Sequence, residues 1–349
     1  MFMMPDKSER EIAILDTGSV YCVIVTYGDR FHFLKQVIDA CLKEDVGKIV
    51  VVDNNSKSSE KLKELEKTLG DKLKVIYLEK NTGSAGGYKV GIEEAYNDKN
   101  CQFMLLLDDD NLPTPGSIHK ALHIWYYFRE TNELFALLFY RSVFSDHILG
   151  IKFGVIPGAY WINSFGNFHI GRAFQKLLRK YSKDRLNKKE TSYPVIKAIL
   201  APYGGVFFHK FIIEKIGFPD ERFILYADDL EFTYRIKENN GSIYLCSDLV
   251  IQDIDKENTY HPKANEAIIY YMLRNSIFFS KKLIRNYFIF TINAAGWCAY
   301  FLIYQQIKVF KSIGLKPYIR RLKLIAEAAW CGMKGNFGEA FFENQKLKL

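Results

Sequence analysis

Asp108, Asp109 and Asp110 stand side by side directly after the apolar run FMLLL, and Asn111 and a proline-containing turn follow them. Three like charges at a buried strand end repel one another, so protons or a cation must compensate them. Hard carboxylate oxygens select Mg²⁺ or Mn²⁺. A solvated acidic turn is the alternative, although three acids exceed what turn chemistry requires. A second acid, Asp53, ends the run VVV and is followed by Asn54, Asn55 and Ser56. Such a carboxylate either caps a turn or accepts a hydrogen bond from a base N–H or a ribose hydroxyl. Residues 81–88, NTGSAGGY, form a glycine-rich turn leading into a helical pattern. Its N–H groups suit a phosphate or a close-packed ligand, or its glycines simply supply positive φ. It matches neither GxGxxG nor GxxxxGK[ST], which argues against dinucleotide dehydrogenases and P-loop NTPases. The fourth signal is YADDLEF at 226–232, with Tyr203, Gly204 and Gly205 upstream. Asp228 and Asp229 in this aromatic setting suit a general base of raised pKa. Alternatively they belong to the charged face of a helix, where Asp228, Glu231 and Arg235 share the spacing.

These residues need elements to hold them. Residues 21–27, 48–52, 73–78 and 103–107 are short, β-branched or apolar runs that read as buried parallel strands. Between them, residues 33–43, 60–69 and 86–97 place apolar side chains at three- and four-residue spacing. Strands recurring every ~25–30 residues with helices between them are βαβ units, so the first third is a Rossmann-like α/β half. Ligands of such sheets gather at the carboxyl ends of strands, where the polar residues above lie. Residues 135–200 loosen into aromatic, glycine-rich sequence and a basic stretch at 172–189, resembling a substrate-facing insertion; 203–260 return to strands and turns; 263–349 read as helices.

The chain has 349 residues, 48% of them hydrophobic and 15% aromatic, a composition that forms a core and excludes disorder, collagen and disulfide miniproteins. Its net charge of +8 is concentrated in residues 263–349, which carry 14 basic and 4 acidic side chains. That field favours anionic partners, either nucleic acid or an anionic membrane surface. The six cysteines are scattered without a CxxC pair or zinc spacing and read as buried, reduced thiols. Residues 1–18 lack the continuous apolar stretch of a secretory signal, which implies a cytosolic face.

Taken in order, VTYGDR (25–30), VVDNNS (51–56), NTGSAGGY (81–88), LLLDDDN (105–111), YGG (203–205), YADDLEF (226–232) and YYMLRN (270–275) resemble an inverting glycosyltransferase of family 2. The resemblance spans about residues 20–280, and the triple aspartate with NTGSAGG is most similar to galactofuranosyltransferases and rhamnosyltransferases of surface polysaccharide synthesis. It implies a GT-A fold: α/β, Rossmann-like, a mostly parallel sheet with flanking helices. The domain division expected is a catalytic unit over 1–262, with a nucleotide-binding half at 20–115 and an acceptor-side half at 116–262, then a helical region at 263–349. The resemblance also implies roles. Thr26, Arg30 and Asp53 lie near the nucleoside, Asn81, Gly83, Gly86 and Gly87 shape the donor pocket, and Asp109 lies near the ribose or sugar. Gly204 and Gly205 belong to the substrate site, and Arg274 contacts a diphosphate unless it is an ordinary helix-surface arginine. Asp108 and Asp110 bind Mn²⁺ or Mg²⁺, Asp229 is the general base, and Asp228 accompanies it. Members of the family carry a further metal-binding histidine where residues 249–254 hold Asp253; Asp253 is the expected third ligand, with His261 in competition.

The implied partners are a nucleotide-diphosphate sugar, UDP-linked by preference or dTDP-linked, and a saccharide or lipid-linked saccharide acceptor. Residues 286–307 are uncharged and include the apolar run at 288–304, close to a bilayer-spanning length. Their Asn, Gln, Tyr and Trp suit an interfacial helix better than a span, so the protein is expected on the cytoplasmic face of a membrane, held peripherally. A non-catalytic nucleotide-sugar-binding assembly subunit and a nucleic-acid-binding protein are the competing classes; the intact acid motifs oppose the first, and the basic stretches are all that favours the second.

Overall fold

The computed structural model describes residues 17–129, 134–171, 193–255, 265–300 and 315–339, and the backbone of 341–342 and 345–346. The expected βαβ half is present. Strands β1 (Val20–Thr26), β2 (Lys48–Asp53), β3 (Leu73–Tyr77) and β4 (Phe103–Asp108) lie in the order β3-β2-β1-β4, all parallel. Between them run α1 (Phe31–Lys43), α2 (Ser59–Leu69) and α3 (Gly83–Asn97). The first two helices fall within two residues of the expected spans. The third starts three residues early, inside the glycine run.

Alternation along each strand builds two cores, because successive side chains leave opposite faces of a sheet. Cys22 and Ile24 join Leu105 and Leu107 against Leu34 and Ile38 of α1. Val23 joins Met104 and Leu106 against Tyr88 and Ile92 of α3 on the other face.

Beyond β4 the sheet becomes mixed. Strand β5 (Asn111–Pro113) and helix α4 (Ser117–Phe128) lead to β6 (Phe135–Arg141) and α5 (Ser145–Phe153). Then come β7 (Val195–Ala198), β8 (Val206–His209), α6 (Phe211–Ile216), α7 (Asp228–Glu238) and β9 (Ser242–Asp253). The sheet order continues β4-β8-β6-β9-β5, with β7 beside β9; β8 is antiparallel to β4 and β6, whereas β6 and β9 are parallel. The sheet is thus parallel in its first half and mixed in its second, not mostly parallel throughout.

The C-terminal region contains α8 (Glu266–Lys282), α9 (Tyr287–Cys298) and α10 (Leu315–Lys334), and a two-stranded antiparallel pair, β10 (Phe341–Phe342) with β11 (Gln345–Lys346), that the helical expectation lacked. Tyr270, Leu273, Phe290, Trp297 and Leu324 pack these helices together. Another cluster joins Phe279 and Leu283 of α8 to Ala85, Trp161, Phe223 and Ala227, so the helical region is packed directly against the parts that carry chemistry. No described helix is long and apolar enough to cross a membrane. Four cysteines are buried as expected, but Cys298 is exposed and Cys331 half-buried.

Candidate active site

Register brings the first acids together. Thr26 pairs with Asp53 across β1 and β2, and Val25 pairs with Asp108 across β1 and β4, so three strand ends share one rim. The Thr26 hydroxyl donates to Asp109 Oδ2 at 2.8 Å, and Arg30 Nε donates to Asp109 Oδ1 at 2.7 Å. Arg30 also reaches Asp110 at 3.0 Å and Asp255 at 2.6 Å. The turn after β1 therefore supplies one cation to three carboxylates, and Thr26 and Arg30 act on the acid cluster itself.

Asp109 and Asp110 are buried, whereas the Asp108 side chain is 46% exposed. Burial pushes the Asp109 carboxyl up to about 7 although Arg30 and Thr26 pull it down. Burial and then the neighbouring Asp108 push Asp110 up to about 6 against the pull of Arg30 and Arg141. Asp108 Oδ1 accepts the Tyr88 hydroxyl at 2.9 Å. The backbone N–H of Asp108 donates to Asn111 Oδ1 at 3.2 Å, and Asn111 Nδ2 donates to Asp110 at 3.0 Å and Asp253 at 3.3 Å.

Asp253 is not left open for a metal. Arg141, at the end of β6, grips it through Nε at 3.0 Å and through Nη2. Arg141 Nη1 donates to the Gly204 carbonyl at 3.1 Å and stands 3.6 Å from Asp108 Oδ2. A Cβ on Gly204 would lie 2.5 Å from that Nη1 and 2.7 Å from Asp108 Oδ2, so only glycine admits the arginine here. Gly205 adopts φ +101° and links β4 to β6, its N–H donating to Leu106 and its carbonyl accepting from Phe139. His261 lies outside the described residues.

Asp53 caps its turn: it accepts the Ser56 N–H at 2.7 Å and the Ser59 hydroxyl, fixing the entry to α2. In the glycine-rich turn Asn81 Oδ1 accepts the Gly83 N–H at 2.9 Å. Gly83 has φ +73°, and a Cβ there would overlap the Ile224 carbonyl oxygen. Gly87 presses on the sheet, where a Cβ would lie 2.6 Å from Val25 Cγ1; Gly86 is covered by Thr82. The glycines thus bring the start of α3 against β1 and against residues 224–227.

That second contact prepares the acid pair. Ile224, Tyr226 and Ala227 have φ of +66°, +68° and +59°, a costly run for residues with a Cβ and worst for β-branched Ile224. Asn275 Nδ2 donates to the carbonyls of Phe223 and Leu225 at 2.7 Å and Tyr226 at 3.2 Å. Arg274 donates to the carbonyls of Gly338 at 2.6 Å, Arg222 at 3.2 Å and Phe223 at 3.3 Å, and to Asn275 Oδ1 at 2.8 Å. With 2% exposure, Arg274 is neither a surface arginine nor open to a diphosphate. The Arg-Asn pair instead holds the strained turn from which α7 starts.

Asp228 and Asp229 open α7. Asp228 is 3% exposed and accepts the Ser84 hydroxyl at 2.7 Å; Asp229, partly exposed, accepts the Leu230 N–H at 2.8 Å. Burial pushes Asp228 up to about 7 against the Ser84 hydrogen bond. Burial and then Asp228 push Asp229 well above the usual carboxylate range, and Asp108 adds to both. Two acid groups more than a hundred residues apart in sequence thus feel one another.

A divalent ion fits this arrangement in one particular way. Mg²⁺ is commonly held by one or two carboxylates with substrate phosphates completing the shell. Half-exposed Asp108 with Asp110 beside it offers such a pair, whereas Asp253 is engaged by Arg141. Among the described residues no group of three or more His, Cys, Asp or Glu is arranged to hold a metal by itself. The sequence reading missed Arg141, Ser84, Tyr88 and Asp255. Arg141 carried a readable signal, a charge ending the apolar run FALLFY.

Residues 21–146 match the family model for glycosyl transferase family 2. The structure of GalNAc-T7 with UDP, GalNAc and Mn²⁺ is similar over 74% of this chain and 47% of its own, at 14% identity and a TM-score of 0.53. This chain thus spans about half the length of that protein. S. aureus TarS 1-349 aligns over 90% of this chain and 80% of its own at 14% identity and a TM-score of 0.48. Its complex with UDP-GlcNAc aligns over 95% and 96% at 13% identity and a TM-score of 0.47. No curated protein sequence matches. Over residues 21–146 the chain is thus similar to family 2 glycosyl transferases, and its fold is GT-A, with helices appended at its C-terminal end.

Proposed function

We propose that the protein is a metal-dependent, inverting glycosyltransferase that moves a sugar from a nucleotide diphosphate to a saccharide or lipid-linked saccharide in cell-surface polysaccharide synthesis. The observation that carries this reading is that Asp108, in the acid trio at the end of β4, lies close enough to Asp228 and Asp229 at the start of α7 to raise the pKa of both. Asp108 and Asp110 are the residues that would hold Mn²⁺ or Mg²⁺. When bound, such an ion compensates charge developing on a leaving nucleoside diphosphate. Asp229, the more open member of the pair, takes the proton of the acceptor hydroxyl, and a carboxylate raised by burial and by Asp228 is a stronger base than an ordinary one. Attack of that hydroxyl on the anomeric carbon, from the face opposite the leaving group, inverts the centre in one displacement. Thr26 and Arg30 orient Asp109 and Asp110, Asp53 fixes the β2 rim, and Asn81, Gly83, Gly86 and Gly87 set the wall formed by α3.

Galactofuranose on UDP is the preferred donor and rhamnose on dTDP the second, a choice that rests on the resemblance of DDD and NTGSAGG alone. Peripheral docking on the cytoplasmic face of a membrane is supported by α9, whose Tyr287 and Phe288 are 77% and 74% exposed and which carries no charged residue. Thermal-shift and hydrolysis measurements with Mn²⁺ and a panel of nucleotide sugars test the donor class. Asp229→Asn should cost ~10²–10⁴-fold in turnover with donor binding retained. Unchanged turnover would remove Asp229 from the mechanism, and a wild-type chain that binds donors without transferring sugar to any acceptor would favour the assembly subunit. Salt-sensitive duplex binding that survives Asp108→Ala would favour nucleic acid instead.

A further inference from the structure

The acid cluster contains its own cations. Arg30 pairs with Asp109, Asp110 and Asp255, and Arg141 with Asp253, at a distance of 3.6 Å from Asp108. The arginine at 141 is built in. It is 6% exposed, its Cζ lies 4.7 Å from the Phe144 ring centroid, and Gly204 leaves the space it fills. The His147 imidazole, held down to about 4 by burial, accepts the Arg141 backbone N–H at 3.1 Å and stays neutral beside it. Asp253 Oδ1 receives Arg141 Nε and Nη2 and also Asn111 Nδ2. A guanidinium is permanently charged, and its planar fork matches a carboxylate bidentately, so a divalent ion has to displace a fixed cation to win Asp253.

We propose that Arg141 withholds Asp253 from the metal, leaving a site of two carboxylates, Asp108 and Asp110, that retains a divalent ion only when a nucleoside diphosphate supplies further oxygens. This rests on the metal-dependent reading above and adds to it an order of binding: the ion and the diphosphate enter as partners, and the chain alone is a poor metal binder. Arg141 is thereby a positioning residue. Its charge holds Asp253 aside, and the same charge near Asp108 disfavours an unaccompanied cation.

Mn²⁺ binding followed by electron paramagnetic resonance, with and without UDP, tests this on the full chain without recourse to activity. Wild type should bind Mn²⁺ at least about tenfold more tightly with UDP than alone, the scale of change produced by altering the surroundings of a metal. Asp253→Asn, which can still accept from Arg141, should leave Mn²⁺ binding in the presence of UDP unchanged. Arg141→Met should tighten Mn²⁺ binding in the absence of UDP by a similar factor, and adding Asp253→Asn to it should cancel that gain. Equal Mn²⁺ affinity of wild type with and without UDP, or a loss of tenfold or more in Asp253→Asn, would overturn the proposal even if Arg141→Met fails to fold. A different result marks failure of the metal reading itself: no Mn²⁺ binding by wild type either with or without UDP, or binding that is indifferent to Asp108→Asn.

Discussion

Ser84→Ala removes the hydrogen bond that most opposes protonation of Asp228, and its cost should depend on pH. The hydroxyl donates at 2.7 Å to a carboxylate that is 3% exposed. Burial has already moved that group from its ordinary 3.8 to about 7. A hydrogen bond to a charged group contributes ~1.5–3 kcal/mol, which is ~1–2 pH units, so the variant's Asp228 should titrate at about 8–9. The sign follows from proton linkage. A carboxyl whose folded pKa lies above its unfolded value binds protons more tightly in the native state, so native stability falls as pH rises between the two values. In wild type that loss runs from about 4 to about 7; in the variant it continues to about 8–9. The gap between wild type and variant should therefore be small at pH 5, where both carboxyls are protonated, and larger by ~1.5–3 kcal/mol at pH 9. With unfolding entropy of ~2.1 cal/mol/K per residue, the extra destabilisation corresponds to about 2–4 °C in Tm for a chain of 349 residues. Differential scanning fluorimetry of both proteins from pH 5 to 9 reads this directly. A gap that is constant with pH would show that Ser84 bonds to a carboxyl that never ionises, and would refute the assignment of Asp228 as a buried acid titrating near neutrality.

Three further expectations test the supports of the site. Asn275→Ala deprives the carbonyls of Phe223, Leu225 and Tyr226 of their shared donor beside three left-handed residues. It should cost ~2–4 kcal/mol by calorimetry and lower turnover more than donor affinity, because α7 loses its anchored start. Gly83→Ala places a Cβ on the Ile224 carbonyl at φ +73°, so the start of α3 must retreat from the turn. It should reproduce the pH-dependent instability of Ser84→Ala, with an added loss of at least ~1 kcal/mol that is independent of pH. Phe288→Glu with Tyr287→Glu removes the two most exposed aromatics of α9. Sedimentation with anionic vesicles should weaken by more than about tenfold, since burying each ring is worth ~1.5–3 kcal/mol, while Tm stays within a degree or two of wild type.

Much of the candidate site was legible because it depends on local pattern. Apolar runs closed by an acid identify β2 and β4 and put Asp53 and Asp108 at strand ends, and parallel pairing then places those ends on one rim. NTGSAGGY was legible as a glycine-rich turn leading into a helix, and YADDLEF as clustered acids that suit a general base or a charged helix face. What these residues do was less legible. Asp53 could be read as a cap or a ligand, and the Ser56 and Ser59 donors that make it a cap appear only in the folded chain. Arg274 could be read as a diphosphate ligand, and only its burial against Arg222, Phe223 and Gly338 assigns it to the strained turn.

By itself the sequence determined the secondary elements of the first third, the α/β class and which strand ends carry carboxylates, since hydrophobic period and strand-end chemistry act over a few residues. Tertiary structure alone decided how the charges are partnered. Arg30 meets Asp255 across 225 residues, Arg141 meets Asp253 across 112, and Ser84 meets Asp228 across 144. Strand order sets the ends of β6 and β9 side by side, the missing Cβ at Gly204 admits Arg141, and the missing Cβ at Gly83 lets the start of α3 meet a turn held in an unfavourable conformation by Asn275 of α8. No periodicity encodes such pairings, because an ion pair or a buried hydrogen bond is selected by distance and burial in the folded molecule rather than by spacing along the chain.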